Sequence, residues 1–122
     1  MTLEKQKFSL KKLNQLDISF FKMLKKEDKE NIQRDRVELT IMAGANVNAQ
    51  DENQNTPLHL AAEIGNMEIS KLLIKFGANS KTLNKSGKTP AQVAFNNGHY
   101  KLSDEIKKLH YEEELVPYKM YK

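Results

Sequence analysis

Apolar residues fall along this chain in short runs at helical spacing, separated by polar turns. Leu13, Leu16, Phe20, Phe21 and Leu24 stand three and four residues apart and predict an amphipathic helix. The charged stretch Lys25 to Arg34 holds no Gly or Pro and predicts a long connection. After it, Val37 to Met42 predicts a second helix that leads into a loop from Gly44 to Ala49. Leu58, Leu60, Ala61 and Ala62 predict a short third helix with small residues on one side. Pro57 suits its first position, where a missing N–H costs nothing. Thr56 can cap its free amides, and Gly65 can end it in the left-handed conformation. Met67, Ile69, Leu72, Leu73 and Phe76 mark a further helix at spacing near 3.6, ended by Gly77. Ala78 to Lys88 is polar and turn-rich and reads as a protruding, hairpin-like loop with Gly87 in its turn.

These elements repeat. Thr56-Pro57 returns 33 residues later as Thr89-Pro90, Ala61 as Ala94 and Gly65 as Gly98. Gly44-Ala45-Asn46 returns at the same offset as Gly77-Ala78-Asn79. A fixed period of this length means stacked units, each burying its apolar face on a neighbour. The later copy is looser: Leu58 gives way to Ala91, His59 to Gln92, Ala62 to Phe95, Leu72 to Glu105 and Ile74 to Lys107. Leu102, Ile106 and Leu109 remain as a narrow stripe. A terminal unit needs apolar residues only toward its neighbour, so this reads as a cap. Beyond it lie Glu112-Glu113-Glu114 and Pro117, and Pro117 argues against a helix continuing far. Two expectations follow for that end: a frayed tail, or a short extension folded back through Leu115, Val116 and Tyr118.

The segment Thr56-Pro57-Leu58-His59-Leu60-Ala61, with its 33-residue return, resembles ankyrin repeats. The resemblance runs from about Val37 to Leu109 and is strongest in Asp51 to Leu83. It implies an all-α helix-turn-helix solenoid with hairpin-like loops in one domain over 1–122. The divisions are a divergent N-terminal repeat at 13–50, a full repeat at 51–83 and a capping repeat at 84–110, with extensions at 1–12 and 111–122. The N-terminal unit departs from the pattern, since nothing upstream matches Thr-Pro-Leu-His. The resemblance also implies non-catalytic protein binding on a concave face of loop tips and first helices. The matching tip positions are Glu52, Asn53 and Asn55, then Lys85, Ser86 and Lys88. The matching helix positions are Glu63 and Ile64, then Asn96 and Asn97, with Gln50 and Leu83 just before each tip. Most are polar and equally suited to face solvent. Ile64 and Leu83 are apolar where the repeat's own packing does not require it, which suits an interface anchor; burial against neighbouring loops is the competing reading. His59 matches a histidine that bonds toward the loop of an adjacent repeat, and His99, after Gly98, also matches a structural position.

Composition narrows the function classes. At 122 residues the chain is one domain by size. With no cysteine it has no disulfide framework or thiolate metal site. No apolar run approaches the roughly 20 residues needed to cross a bilayer, and Met1 to Leu13 has no signal-like apolar core. Residues 1–36 carry ten Lys/Arg against six Asp/Glu, and residues 37–122 carry ten of each. The basic excess therefore sits ahead of the clear repeats, in Lys5, Lys7, Lys11, Lys12, Lys22, Lys25, Lys26 and Lys29. It offers an alternative function, binding nucleic acid or an anionic surface. Interspersed acids and the scarcity of arginine argue against it, because arginine supplies the bidentate contacts. A second alternative is a regulatory or inhibitory subunit of an enzyme complex.

His59 has no Ser or Cys partner at a local spacing, and His99 and His110 stand singly, where a metal site needs converging ligands. Gly87-Lys88-Thr89 matches a fragment of a phosphate loop without its upstream glycine, and a turn explains it. The expectation is a protein with no catalytic residues, metal or cofactor. It binds one unidentified protein partner as a monomer, in a cytoplasmic setting, or in a host cell if its source is an intracellular bacterium. Met1 and the two cap-like ends lead to the expectation of a complete chain.

Overall fold

The computed structural model describes residues 14–25 and 34–115, with helical backbone alone for 110–115. The expectations for Met1 to Leu13, for most of the charged connection and for residues 116–122 lie outside the described residues. So does that for the His110 side chain. Six helices are described: α1 (Gln15–Leu24), α2 (Arg34–Met42), α3 (Pro57–Ile64), α4 (Met67–Lys75), α5 (Pro90–Asn96) and α6 (Tyr100–Leu115). No strand occurs among the described residues, so the loops fold back without forming a sheet.

The 33-residue offset carries α3 onto α5, and α2 onto α4 and then α6. Packing follows the same order. First helices meet along one row, α1 on α3 and α3 on α5, and second helices along another, α2 on α4 and α4 on α6. Small residues allow the first row to close up: Ala61, Ala62, Ala91 and Ala94 are all buried. Between the rows lie Phe20, Leu24, Val37, Leu58, Ile69, Leu73 and Ile106, each nearly inaccessible to solvent. Burying one such side chain stabilises the fold by about 1.5–3 kcal/mol.

Local chemistry sets the helix ends. Thr56 sits at the N-cap of α3, where its hydroxyl accepts the His59 N–H at 3.3 Å. His59 Nδ1 accepts the Thr56 N–H at 3.0 Å in return. The two make a reciprocal capping box that satisfies two otherwise orphaned donors. Thr89 and Gln92 repeat it on α5, with Gln92 Oε1 accepting the Thr89 N–H at 2.9 Å. Gly65 closes α3 with a positive φ of 85°, as its place after the apolar run predicts.

The end units differ from the middle one. On α2 only Val37 is buried, and Leu39, the counterpart of buried Leu72, is exposed. The N-terminal core comes from α1 instead, through Phe20, Phe21 and Leu24. At the other end Leu102 and Ile106 are buried and Leu109 half-buried, the predicted stripe, while Lys107 faces solvent. α6 continues to Leu115, six residues past the end of the resemblance and before Pro117. The outer side of this unit is not uniformly polar. Phe95 is 54% exposed and Tyr100 58%, with ring centroids 4.9 Å apart in an edge-to-face pair.

Candidate protein-interaction surface

The two long loops are built alike, one opened by an aspartate and the other by an asparagine. Asp51 Oδ1 accepts the N–H groups of Asn53 and Asn55, both at 2.9 Å. Asn84, 33 residues on, accepts those of Ser86 and Lys88 at 3.0 Å. In each loop the opening residue also donates its own N–H to a carbonyl four residues later, Asp51 to Asn55 and Asn84 to Lys88. Short polar side chains that bond their own backbone make such turns without a sheet.

Neighbouring loops are then joined to each other. The Lys85 N–H donates to the Asn53 carbonyl at 2.9 Å, and Asn84 Nδ2 donates to Asn55 Oδ1 at 2.9 Å. His59 Nε2 lies 2.8 Å from the Lys88 carbonyl. A carbonyl only accepts, so Nε2 carries the proton and Nδ1 is left to accept from Thr56. Burial holds the His59 pKa below its ordinary 6.5, against smaller opposing effects from the Lys88 carbonyl and the Asp51 carboxylate. A neutral, single-tautomer imidazole is the form this site accommodates.

Other contacts hold the remaining seams. Asn48 Nδ2 donates to the Gly77 carbonyl at 3.1 Å, and Asn48 Oδ1 accepts the Asn79 N–H at 2.7 Å. The buried Asp17 of α1 accepts the Asn46 N–H at 2.8 Å. Lys25 Nζ lies 3.2 Å from Asp51 Oδ2, a buried oxygen that receives no well-aligned hydrogen bond, so the ammonium offsets its charge. His99 Nε2 donates to the Glu63 carbonyl at 3.1 Å. On the second helices, Arg34–Glu68 at 3.8 Å and Lys71–Glu105 at 3.9 Å join successive units. Such exposed pairs are each worth about 0–1 kcal/mol.

Around this frame, Gln50, Glu52, Asn53, Glu63, Lys85, Ser86, Asn96 and Asn97 are exposed. Several also serve the fold: Gln50 Nε2 donates to the Gln54 carbonyl, and Asn97 Nδ2 to the Val93 carbonyl. Asn55 and Lys88 are half-buried, each bound across a seam. Leu83 is 53% exposed and Ile64 half-buried, so the chain does not bury both. Sequence reading missed Asp17, Asn48, Asp51 and Asn84. The recurrence of Asp51 as Asn84 at the repeat offset was a usable signal. Asn48 recurs as Lys81, so its cross-seam role left none.

Among the described residues no cluster of three His, Cys, Asp or Glu side chains converges as a metal site needs. No described helix is long and apolar enough to cross a membrane.

Stacked helix pairs, capped by Thr-Pro and joined through loops at a 33-residue offset, define a helical repeat protein. The family profile for ankyrin repeats, in three copies, matches residues 26–110, and the chain belongs to that family. It is 39% identical over 61 residues to the human ARF GTPase-activating protein GIT2, covering 50% of this chain and 8% of that protein. It is 32% identical over 83 residues to human SH3 and multiple ankyrin repeat domains protein 2, covering 68% of this chain and 4% of the relative. A Rickettsia bellii protein named for ankyrin repeats is 43% identical over 49 residues, covering 40% of this chain and 29% of its own length. The chain thus spans a small part of each relative. Ankyrin repeats are in general non-enzymatic modules for protein–protein interaction, and the family membership implies protein partners.

Proposed function

We propose that this chain binds a partner protein, without catalysis, through the face carrying its loop tips and first helices. The observation that carries this reading is Leu83, an exposed leucine on the approach to a loop tip. Its surroundings in sequence are polar, and the loop it enters is fixed to its neighbour through Lys85 and Asn84. A rigid apolar anchor in a polar setting is how interface energy concentrates in a few residues. Ile64, half-buried at the end of α3, is the second anchor, with Glu52, Glu63, Lys85 and Ser86 as a polar rim. The acidic side chains lie on the middle unit and the lysines on the last, so a fitting partner carries the opposite order of charge. The partner meets this face in a cytoplasmic setting. GTPase activation, named for one relative, is not carried over.

The lysine-rich alternative loses one of its cations, since Lys25 is engaged by Asp51. Affinity capture from source lysate tests the main reading, comparing wild type with Leu83→Lys and with Ile64→Lys/Leu83→Lys. Circular dichroism verifies that each variant is folded. Loss of one stoichiometric protein from the folded Leu83→Lys sample is the expected result. Equal capture of every protein by all three samples overturns the proposal.

A further inference from the structure

The repeat offset identifies the positions through which one unit meets the next. In the middle unit Ala62 and Ile74 are buried, Met67 is half-buried, and Lys71 reaches forward to Glu105 of the last unit at 3.9 Å. Their counterparts on the last unit are Phe95, Lys107, Tyr100 and Asp104, and all four are exposed. Tyr100, Asp104 and Lys107 stand four and three residues apart on α6, so they form one stripe. Phe95 of α5 joins it through its edge-to-face contact with Tyr100. Among the described residues neither Asp104 nor Lys107 has an ion-pair partner.

We infer that this face pairs with the same face of a second copy. The chain is then a two-fold dimer joined through its last unit, in place of the monomer expected from the sequence. Charge selects this occupant. In a two-fold interface, if residue i contacts j, then j contacts i. Two α6 helices laid antiparallel about an axis midway between Asp104 and Lys107 set each aspartate opposite the other copy's lysine. One register therefore forms both ion pairs. The two Phe95–Tyr100 pairs flank them, one at each end of the interface, and supply its apolar area.

A further unit of the same kind is the other candidate for this face, and shape argues against it. The middle seam closes because its first helices meet through Ala61, Ala62, Ala91 and Ala94, all buried. Phe95 stands where Ala62 stands in that seam. Its ring keeps another helix from closing up at the same spacing without overpacking. Area sets the strength of the pairing. At a helical rise of about 1.5 Å per residue and a width of about 10 Å, α6 and the shorter α5 offer a footprint of roughly 350 Å² per copy. That is the small end of specific contacts, so the dimer is weak and forms reversibly with concentration.

Sedimentation equilibrium of the full chain at rising concentration reads the association, and circular dichroism verifies the fold of each variant. A reversible monomer–dimer equilibrium is the expected result. Asp104→Lys sets like charges against each other across the interface, and so does Lys107→Asp. Each variant alone is expected to dimerise about tenfold more weakly. An equal mixture of the two is expected to pair again, because each chain then meets the opposite charge at both positions. The double variant Asp104→Lys/Lys107→Asp should recover in the same way. A wild-type chain that stays monomeric throughout overturns the inference. So does a dimer that both charge reversals leave intact, since its interface lies elsewhere. Failure of the mixture to pair overturns the antiparallel register and the inference with it.

Discussion

Gln54 and Gly87 occupy the same place in successive loops and share the left-handed conformation, with φ of 61° and 76°. Each donates its N–H at 2.8 Å to the carbonyl of the residue that opens its loop, Asp51 or Asn84. The left-handed region costs a residue with a side chain about 1–2 kcal/mol, and glycine avoids that cost while losing more chain entropy. Gln54→Gly is therefore expected to raise unfolding free energy by up to about 1 kcal/mol, and Gly87→Gln to lower it by about the same. Urea denaturation reads both. A Gln54→Gly variant no more stable than wild type would show that the loop holds no such strain.

His59 and Gln92 fill equivalent capping positions, but only His59 also reaches the next loop, at the Lys88 carbonyl. His59→Gln should keep the contact to the Thr56 N–H, as Gln92 does for Thr89, and lose the contact to Lys88. The expected cost is about 1–3 kcal/mol, the penalty for one buried group left unpaired. His59→Ala loses both contacts and opens a void, so it should cost about 2–5 kcal/mol. Equal stabilities for the two variants would refute this division of roles.

The same histidine predicts the acid limb of the stability profile. Its folded pKa lies below 6.5 because burial disfavours the charged ring. The unfolded state then binds the proton more readily, so the stabilisation is complete above about pH 6.5 and is lost as pH falls through the folded value. Protonated Nδ1 would also turn a donor toward the Thr56 N–H. Wild type is expected to lose stability on acidification faster than His59→Gln over that window. Parallel pH profiles would contradict the assignment.

Gly65 is constrained twice. Its φ is 85°, and a Cβ there would lie 2.5 Å from His99 Nδ1. Gly65→Ala should destabilise by about 1–3 kcal/mol, from conformation and collision together. Replacing His99 by alanine removes the collision, at the cost of its hydrogen bond to the Glu63 carbonyl, and leaves the backbone strain in place. The double variant should therefore lose less than the sum of the single losses, a coupling that thermal unfolding of all four proteins can resolve.

Much of this fold could be read before the structure because its signals are local. Thr56-Pro57 and Thr89-Pro90 mark helix starts by their own chemistry, Gly65 marks an end, and a fixed offset turns one assignment into several. The ends were harder, since exposure there depends on what lies beyond them. Leu39 and Phe95 sit on predicted helices, but no spacing says that their neighbours stop short. The loop connections were also hidden. Asn48 spans a seam through both atoms of its amide, yet its counterpart is Lys81, so the period erased the clue. For the proposed surface, sequence could nominate Leu83 as apolar; only the structure could find it exposed.

The joints between units are written largely in main-chain atoms. On the last unit, His59 is received by the carbonyl of Lys88, and the Asn53 carbonyl by the N–H of Lys85. Any residue but proline offers that N–H, and every residue offers that carbonyl. The side chains at 85 and 88 can therefore vary while the grip on the middle unit stays the same. Inheritance of shape and inheritance of surface are separate in this molecule: mutation can redraw the face shown to a partner while the scaffold behind it is passed on unaltered.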